Sequence, residues 1–281
     1  VTILRALSFT LVALLFVPSA QAQQDNDAWR IPTQKQDFHI FLLMGQSNMS
    51  GYGKLQPEDR KGVPRVLLLP TKGKVIWRPA SHPLHNRLKS DRFGLGLPFA
   101  TEYLKDKPNI TVGLIPVAWG GAAIDRLNKG TPTFSDAIKK AQFAAQEGTI
   151  KGVLWHQGES DTVSESRASA FEQKLHQLVS DCRAELAIKQ LPFIAGNLAE
   201  FYGTGKDHRA ADRVKRINKV RGALRDLPKH VANTGFVEST GCSSPDQHMV
   251  HFDRASYIIL GKRYAEVYNE VSKALKGQSS K

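Results

Sequence analysis

The sequence predicts an α/β fold, a mostly parallel central sheet with helices on both faces. Three observations predict it. Short apolar runs alternate with longer stretches of helical periodicity from Phe38 to the C-terminus, as in a chain of βαβ units. The runs at 39–44, 110–117 and 151–155 are apolar throughout, which suits strands buried on both faces better than half-exposed ones. Each of these three runs is followed by a polar segment containing glycine, and sheets of this kind gather functional groups at the carboxyl ends of their strands.

Taken in order, His39–Met44 is a strand that ends at a glycine. Arg65–Leu69 and Lys74–Trp77 are short strands around a Thr-Lys-Gly turn, the pattern of a hairpin. Leu97–Leu104 reads as helix, Ile110–Val117 as strand, and the Ala-rich segment Phe134–Glu147 as helix closed by a glycine. Lys151–Trp155 is the third buried strand, and Ser164–Ile188 keeps helical periodicity over several turns. Pro192–Leu198 is a fourth strand, Ala210–Leu224 a basic amphipathic helix, Gly235–Val237 a fifth strand and Phe252–Leu275 a long final helix. There is no internal repeat or low-complexity linker, so residues 38–275 read as one domain.

Composition narrows the class. Among 281 residues, 41% are hydrophobic and 23% charged, which excludes wholesale disorder. Two cysteines are too few for a disulfide scaffold or a cysteine-rich zinc module. A pairing of Cys182 with Cys242 stays open. The formal charge of +13 favours polyanions of some kind. The basic stretch 209–225 is the only support for nucleic acid, and no nucleic-acid motif accompanies it, so none is expected as a partner.

Val1–Ala22 has the pattern of a secretory signal: Arg5 near the start, an apolar run over 7–17, and Ala20-Gln21-Ala22 as a small-x-small cleavage site. The run is shorter than the ~20 residues a bilayer span needs, so a secreted or periplasmic protein without stable membrane insertion is expected. Residues 23–37 are polar and expected to form an extended arm.

The strand ends carry the candidate chemistry. Ser47, in Gly45-Gln46-Ser47-Asn48-Met49, would stand on a tight strand-to-helix turn, as a nucleophile or simply as a helix cap. Gly120-Gly121 follows the second buried strand, where backbone can approach a ligand closely and aim an N–H at it. Gln157, in Trp155-His156-Gln157-Gly158-Glu159, could donate its amide to a developing oxyanion, or belong to a loop capping the next helix. His251, in the loop before the last helix, could reach Ser47 and act as general base. His248 and His251 form an HxxH pair with no third ligand at metal spacing nearby, so no metal is expected.

Together these segments resemble the SGNH hydrolase superfamily, and within it the sialate O-acetylesterase and carbohydrate esterase family 6 group. The shared pieces include Gly94-Leu95-Gly96-Leu97-Pro98-Phe99-Ala100, Gly113-Leu114-Ile115-Pro116 and His251-Phe252 with Leu260-Gly261-Lys262-Arg263-Tyr264-Ala265. The resemblance spans roughly Phe38 to Tyr268. It implies a three-layer α/β/α fold and cofactor-free removal of acetyl groups from sugar hydroxyls. Ser47 would be the nucleophile and His251 the base. The backbone N–H of Ser47, one at Gly120 or Gly121, and the Gln157 side chain would form the oxyanion hole, with Gln46, Asn48, His156 and Glu159 lining the substrate site. The sequence departs from the family at one place. The aspartate expected three residues before the histidine is His248 here, and the nearest upstream carboxylate is Asp246. Asp246 is the expected triad acid if the loop bulges, with Asp253 and Glu159 as other candidates and a Ser-His dyad as a further option. The competing function is a catalytically impaired glycan-binding protein on the same fold.

Overall fold

In the computed structural model of the chain, the described residues are 29–71, 74–85, 92–205 and 210–279. The signal-like segment Val1–Ala22 and the start of the 23–37 arm lie outside them. The centre of the sheet is β1 (Phe38–Gly45), in which only His39 is not fully buried. Two parallel strands flank it, β6 (Thr111–Pro116) and β7 (Thr149–His156), which are the other two wholly apolar runs. Beyond them lie β3 (Val66–Leu68) on one side and β8 (Phe193–Gly196) and β9 (Thr234–Val237) on the other, all parallel to their inner neighbours. An antiparallel edge strand, β4 (Arg78–Pro79), completes the order β4-β3-β6-β1-β7-β8-β9. A separate ribbon pairs β2 (Gly53–Lys54) with β5 (Arg92–Phe93).

Helices cover both faces. A four-residue helix, α1 (Ser47–Ser50), follows β1 directly. On one face α2 (Gly96–Tyr103) packs against the long α6 (Arg254–Ser279). Their contact with the sheet is aromatic: Phe41, Phe99, Tyr103 and Tyr268 meet edge to face, with Phe41 4.8 to 5.1 Å from the other three rings. On the other face lie α3 (Pro132–Ala144), α4 (Glu165–Glu185) and α5 (Ala211–His230). Among the described residues no helix is long and apolar enough to cross a membrane.

The expected strand at Lys74–Trp77 is displaced: β4 lies one step later, at Arg78–Pro79. Val75 and Ile76 are exposed, and what made the run look strand-like is Trp77, which packs edge-on against Phe38 and donates its indole N–H to Glu147 Oε2. The basic helix runs to His230, past the expected end at Leu224; Pro228 sits in its last turn. The described part of the arm, 29–37, is not extended throughout. Lys35–Asp37 is a turn of 3₁₀ helix, and Trp29 and Ile31 pack onto the core. Cys182 and Cys242 are both free thiols, and burial pushes the first up to about 12.

Gly261 of α6 faces α2 so closely that a Cβ there would meet Phe99 N at 2.7 Å and Leu95 O at 2.8 Å. These are backbone atoms and cannot step aside. Gly261→Ala is expected to cost about 2–3 kcal/mol in urea unfolding through overpacking. Gly277→Ala on the same helix, where nothing lies within 4 Å, is expected to stabilise by about 0.5–1 kcal/mol through helix propensity.

Candidate active site

The three inner strands end side by side, and their hydrogen-bond ladder continues into the loops that follow. Gln46 N–H donates to His156 O (3.0 Å), and Trp119 N–H donates to Gly45 O (2.9 Å). The loops after β1, β6 and β7 are thereby tied into one platform. Gly45 makes the turn possible. Its φ is +143°, and any Cβ would run into the His156 carbonyl. Ser47 then opens α1, with its side chain all but buried.

His251 enters from the far end of the sequence, in the loop before α6. Its Nε2 lies 3.1 Å from Ser47 Oγ. The agent of this meeting is Asn48. Its Nδ2 donates to Val250 O (3.0 Å) and its Oδ1 accepts from Phe252 N–H (3.4 Å), so one side chain grips the backbone on both sides of His251. Tyr257 O–H donates to the same Oδ1 (3.0 Å), and Nδ2 also donates to Glu159 Oε1 (2.5 Å).

The His251 ring is positioned by stacking. Tyr52 lies parallel to it, with centroids 3.6 Å apart and an interplanar angle of 11°. The Arg92 guanidinium lies 3.2 Å from the Tyr52 centroid. The β2–β5 ribbon brings Tyr52 and Arg92 together. Burial, and then the Arg92 charge, push His251 down to about 4, against an opposing pull from Asp246.

The three carboxylates considered for the triad lie in different places. Asp246 is exposed, and its Oδ1 accepts from His248 N–H (2.9 Å). Its charge favours the imidazolium, but among the described residues it makes no hydrogen bond to the ring. Met249, between the two, takes a left-handed φ of 52°, so the loop does bulge. Asp253 is committed elsewhere: it caps α6, accepting from Ser256 N–H (2.8 Å) and Ser243 Oγ (2.7 Å). Glu159 lies beneath Asn48 and does not touch His251.

The residues expected to line the substrate site are buried under it. Gln46, Asn48, His156 and Glu159 are at most 3% exposed and bond to the protein. Gln46 Oε1 accepts from Gln157 Nε2 and from Ser160 N–H, and His156 Nδ1 pairs with Tyr264 Oη at 3.0 Å. Gln46 and Asn48 face inward from the turn after β1, and His156 and Glu159 from the end of β7 and the 3₁₀ turn after it, so their polar groups are engaged by the protein. Burial pushes His156 down to about 3 and Glu159 up to about 7. Gln157 is also wholly buried. Its Nε2 lies within hydrogen-bond reach of Asp161 Oδ2 (2.5 Å), Ala122 O (3.0 Å) and Gln46 Oε1 (3.2 Å), so its amide is occupied by the protein. The backbone N–H groups of Ser47 and Gly120, in contrast, have no acceptor among the described residues, and a Cβ at Gly120 or Gly121 would meet nothing within 4 Å.

Sequence reasoning missed Tyr52, Arg92, Tyr257 and Asp161. Only Tyr52 left a trace, an aromatic between two glycines just after the nucleophile turn.

A serine at the end of a central parallel strand thus meets a histidine that precedes the last helix, and the comparisons with known proteins place the chain among the carbohydrate esterases. The family model described as "Carbohydrate esterase, sialic acid-specific acetylesterase" matches residues 37–270, and the chain belongs to that family. A probable carbohydrate esterase of Arabidopsis thaliana is 26% identical over 247 residues, covering 82% of this chain and 89% of its own. The crystal structure of that plant protein superposes with a TM-score of 0.70 at 27% identity, covering 83% of this chain and 98% of its own. NanS superposes with a TM-score of 0.69 at 18% identity, over 86% of this chain and 99% of its own. A carbohydrate acetylesterase from Xanthomonas citri gives 0.60 at 19%, over 84% of this chain and 56% of its own.

Asn48→Ala is expected to leave Glu159, Tyr257 and the 250–252 backbone unpartnered, lowering stability by about 3 kcal/mol and kcat much more than it raises KM. Asn48→Asp keeps the shape but sets a second carboxyl against Glu159. Its unfolding midpoint in urea is expected to approach that of the parent at pH 5, where one proton can be shared, and to fall as pH rises through 7.

Proposed function

We propose that this protein is an exported carbohydrate O-acetylesterase that works through an acyl-enzyme on Ser47. The observation that carries this reading is the 3.1 Å approach of Ser47 Oγ to the ring of His251. Because burial and Arg92 hold His251 down to about 4, the imidazole is neutral and ready to accept a proton at ordinary pH. Export rests on the signal-like pattern of Val1–Ala22.

His251 Nε2 takes the proton from Ser47 Oγ as the oxygen attacks the acetyl carbonyl carbon of the sugar ester. The carbonyl electron pair moves onto oxygen, where the backbone N–H groups of Ser47 and Gly120 receive it. Each such donor is worth ~10²–10³ in rate. Collapse breaks the bond to the sugar oxygen, which leaves with the proton held by His251. A water molecule then gives a proton to the same imidazole as it attacks the acetyl-serine; collapse breaks the bond to Ser47 Oγ, which takes that proton from His251, and acetate leaves. The Asp246 charge favours the transient imidazolium. Gln157 contributes by bracing Gln46 and Ala122 beneath the oxyanion site.

The competing reading, a glycan-binding protein that has lost turnover, draws on the absence of a carboxylate hydrogen-bonded to His251 among the described residues. Sustained acetate release after a burst of the freed alcohol, or labelling of Ser47 by an organophosphonate, excludes it.

Ser47→Ala is expected to abolish acetate release from acetylated xylan, acetylated sialic acid and aryl acetates while leaving the unfolding midpoint unchanged within about 1 kcal/mol; retained turnover rejects the nucleophile. The pH profile gives a second check. A base must be unprotonated, so kcat/KM is expected to fall only as pH drops through about 4, where an ordinary histidine would already lose half its activity at 6.5. Arg92→Gln removes a like charge and is expected to move that midpoint upward. Asp246→Asn is expected to move it downward and to lower kcat.

A further inference from the structure

Arg254 opens α6 three residues after His251, and its charge is out of place there. A cation in the first turn of a helix opposes the macrodipole. The partner that offsets this is Asp59, in the 3₁₀ turn Pro57–Arg60 that follows β2. Arg254 Nε donates to Asp59 Oδ2 (2.8 Å) and Nη2 donates to Oδ1 (2.6 Å), a two-point pair on a carboxylate whose side chain is only 6% exposed. Glu58 Oε1 lies 3.8 Å from the same Nη2.

The pair closes on the β2–β5 ribbon. Gly53 stands opposite Phe93 in this ribbon, and Lys54 opposite Arg92. Successive residues of a strand point to opposite faces, so Tyr52 and Arg92 share one face and Gly53 and Phe93 the other. Both members of the second face meet Arg254. Its guanidinium carbon lies 4.8 Å from the Phe93 ring centroid, and a Cβ at Gly53 would meet its Cα at 2.9 Å. The first face carries Tyr52, stacked on His251. Residues 251–254 therefore straddle the ribbon, with the imidazole against one side and Arg254 against the other.

We propose that Arg254 and Asp59 are positioning residues for His251: their ion pair clamps the ribbon to the start of α6, and the clamped ribbon holds Tyr52 flat on the imidazole. Opening the clamp lets the ribbon lift, which admits water to the ring and withdraws the Arg92 charge. The charges that act on the ring are those of Arg92, Asp246 and His248, and Arg254 is not among them. A change in the ring's proton affinity on losing Arg254 therefore reports the place of the ribbon and not the lost charge. This rests on the reading of His251 as the base of an esterase and adds the residues that keep it in place.

The experiment titrates the His251 ring by NMR, with its signal assigned by its loss in His251→Gln, and measures kcat and KM for an aryl acetate in parallel. Arg254→Met keeps an apolar stem over Phe93, and Gly53→Ala pushes the ribbon off the α6 backbone without touching a charge. Each is expected to raise the ring's midpoint by about one pH unit, toward the ordinary ~6.5. Each is also expected to lower kcat by about tenfold with KM within about threefold of the parent. Arg254→Lys, which pairs through one point only, is expected to fall between Arg254→Met and the parent. Arg254→Met leaves Asp59 buried and unpaired, so Asp59→Asn combined with Arg254→Met takes its place if the single variant does not fold. A midpoint that rises by less than about half a unit in these variants, even with a lowered unfolding midpoint, overturns the clamp. A parent protein without turnover overturns the esterase reading instead, and the ring's midpoint still decides the clamp.

Discussion

The side chain of Asn48 holds this site together. Ser47 comes with the first strand of the sheet and His251 with the last loop, and nothing in the local chain obliges them to meet. Asn48 is fixed because it directly follows Ser47 in a four-residue helix, and its amide meets both backbone groups that flank His251. Glu159 and Tyr257 occupy its remaining valences, so the amide cannot turn away. The placement of His251 is thus as rigid as the placement of Ser47, since both derive from one short turn. A buried amide with every group partnered gains strength from its low-dielectric surroundings, and the same surroundings make its disruption costly.

The orientation of the His251 ring follows a different logic from the familiar acid–histidine–serine line. A carboxylate normally fixes such a ring by bonding to its second nitrogen. Here the plane of the ring is fixed by Tyr52, itself backed by Arg92. Asp246 acts through space from an exposed loop, with its Oδ1 engaged by the His248 N–H. Orientation and charge stabilisation, which one aspartate supplies elsewhere, are here divided between an aromatic stack and a distant carboxylate. Burial lowers the proton affinity of the imidazole most, and the Arg92 charge lowers it further against the pull of Asp246.

Much of this was legible in the sequence, and the rest was hidden for identifiable reasons. The inner strands announced themselves because burial on both faces forces continuous apolar runs, and Ser47 and His251 could be named because strand ends and the last loop are where such a fold exposes chemistry. The strand after the 70–77 turn was misplaced because Trp77 is apolar for the sake of Phe38 and Glu147, not for the sheet. Gln46, Asn48, His156 and Glu159 stand beside the nucleophile in sequence or in space, yet they face inward. Polar residues in a motif report that something needs hydrogen bonds, but not whether that something is a ligand or the protein. Tyr52 and Arg92 lie 40 positions apart, the first just before and the second within a ribbon of two-residue strands too short to leave a periodic signal.

The order in which the halves of the site appear along the chain has a consequence for when it can work. Ser47 emerges early in synthesis with β1, whereas His251 comes some two hundred residues later, in the loop before α6, and α6 packs against α2. A nascent or partly threaded polypeptide therefore carries the hydroxyl without its proton acceptor. Whatever the Ser47–His251 pair does must therefore wait until α6 has been made and folded.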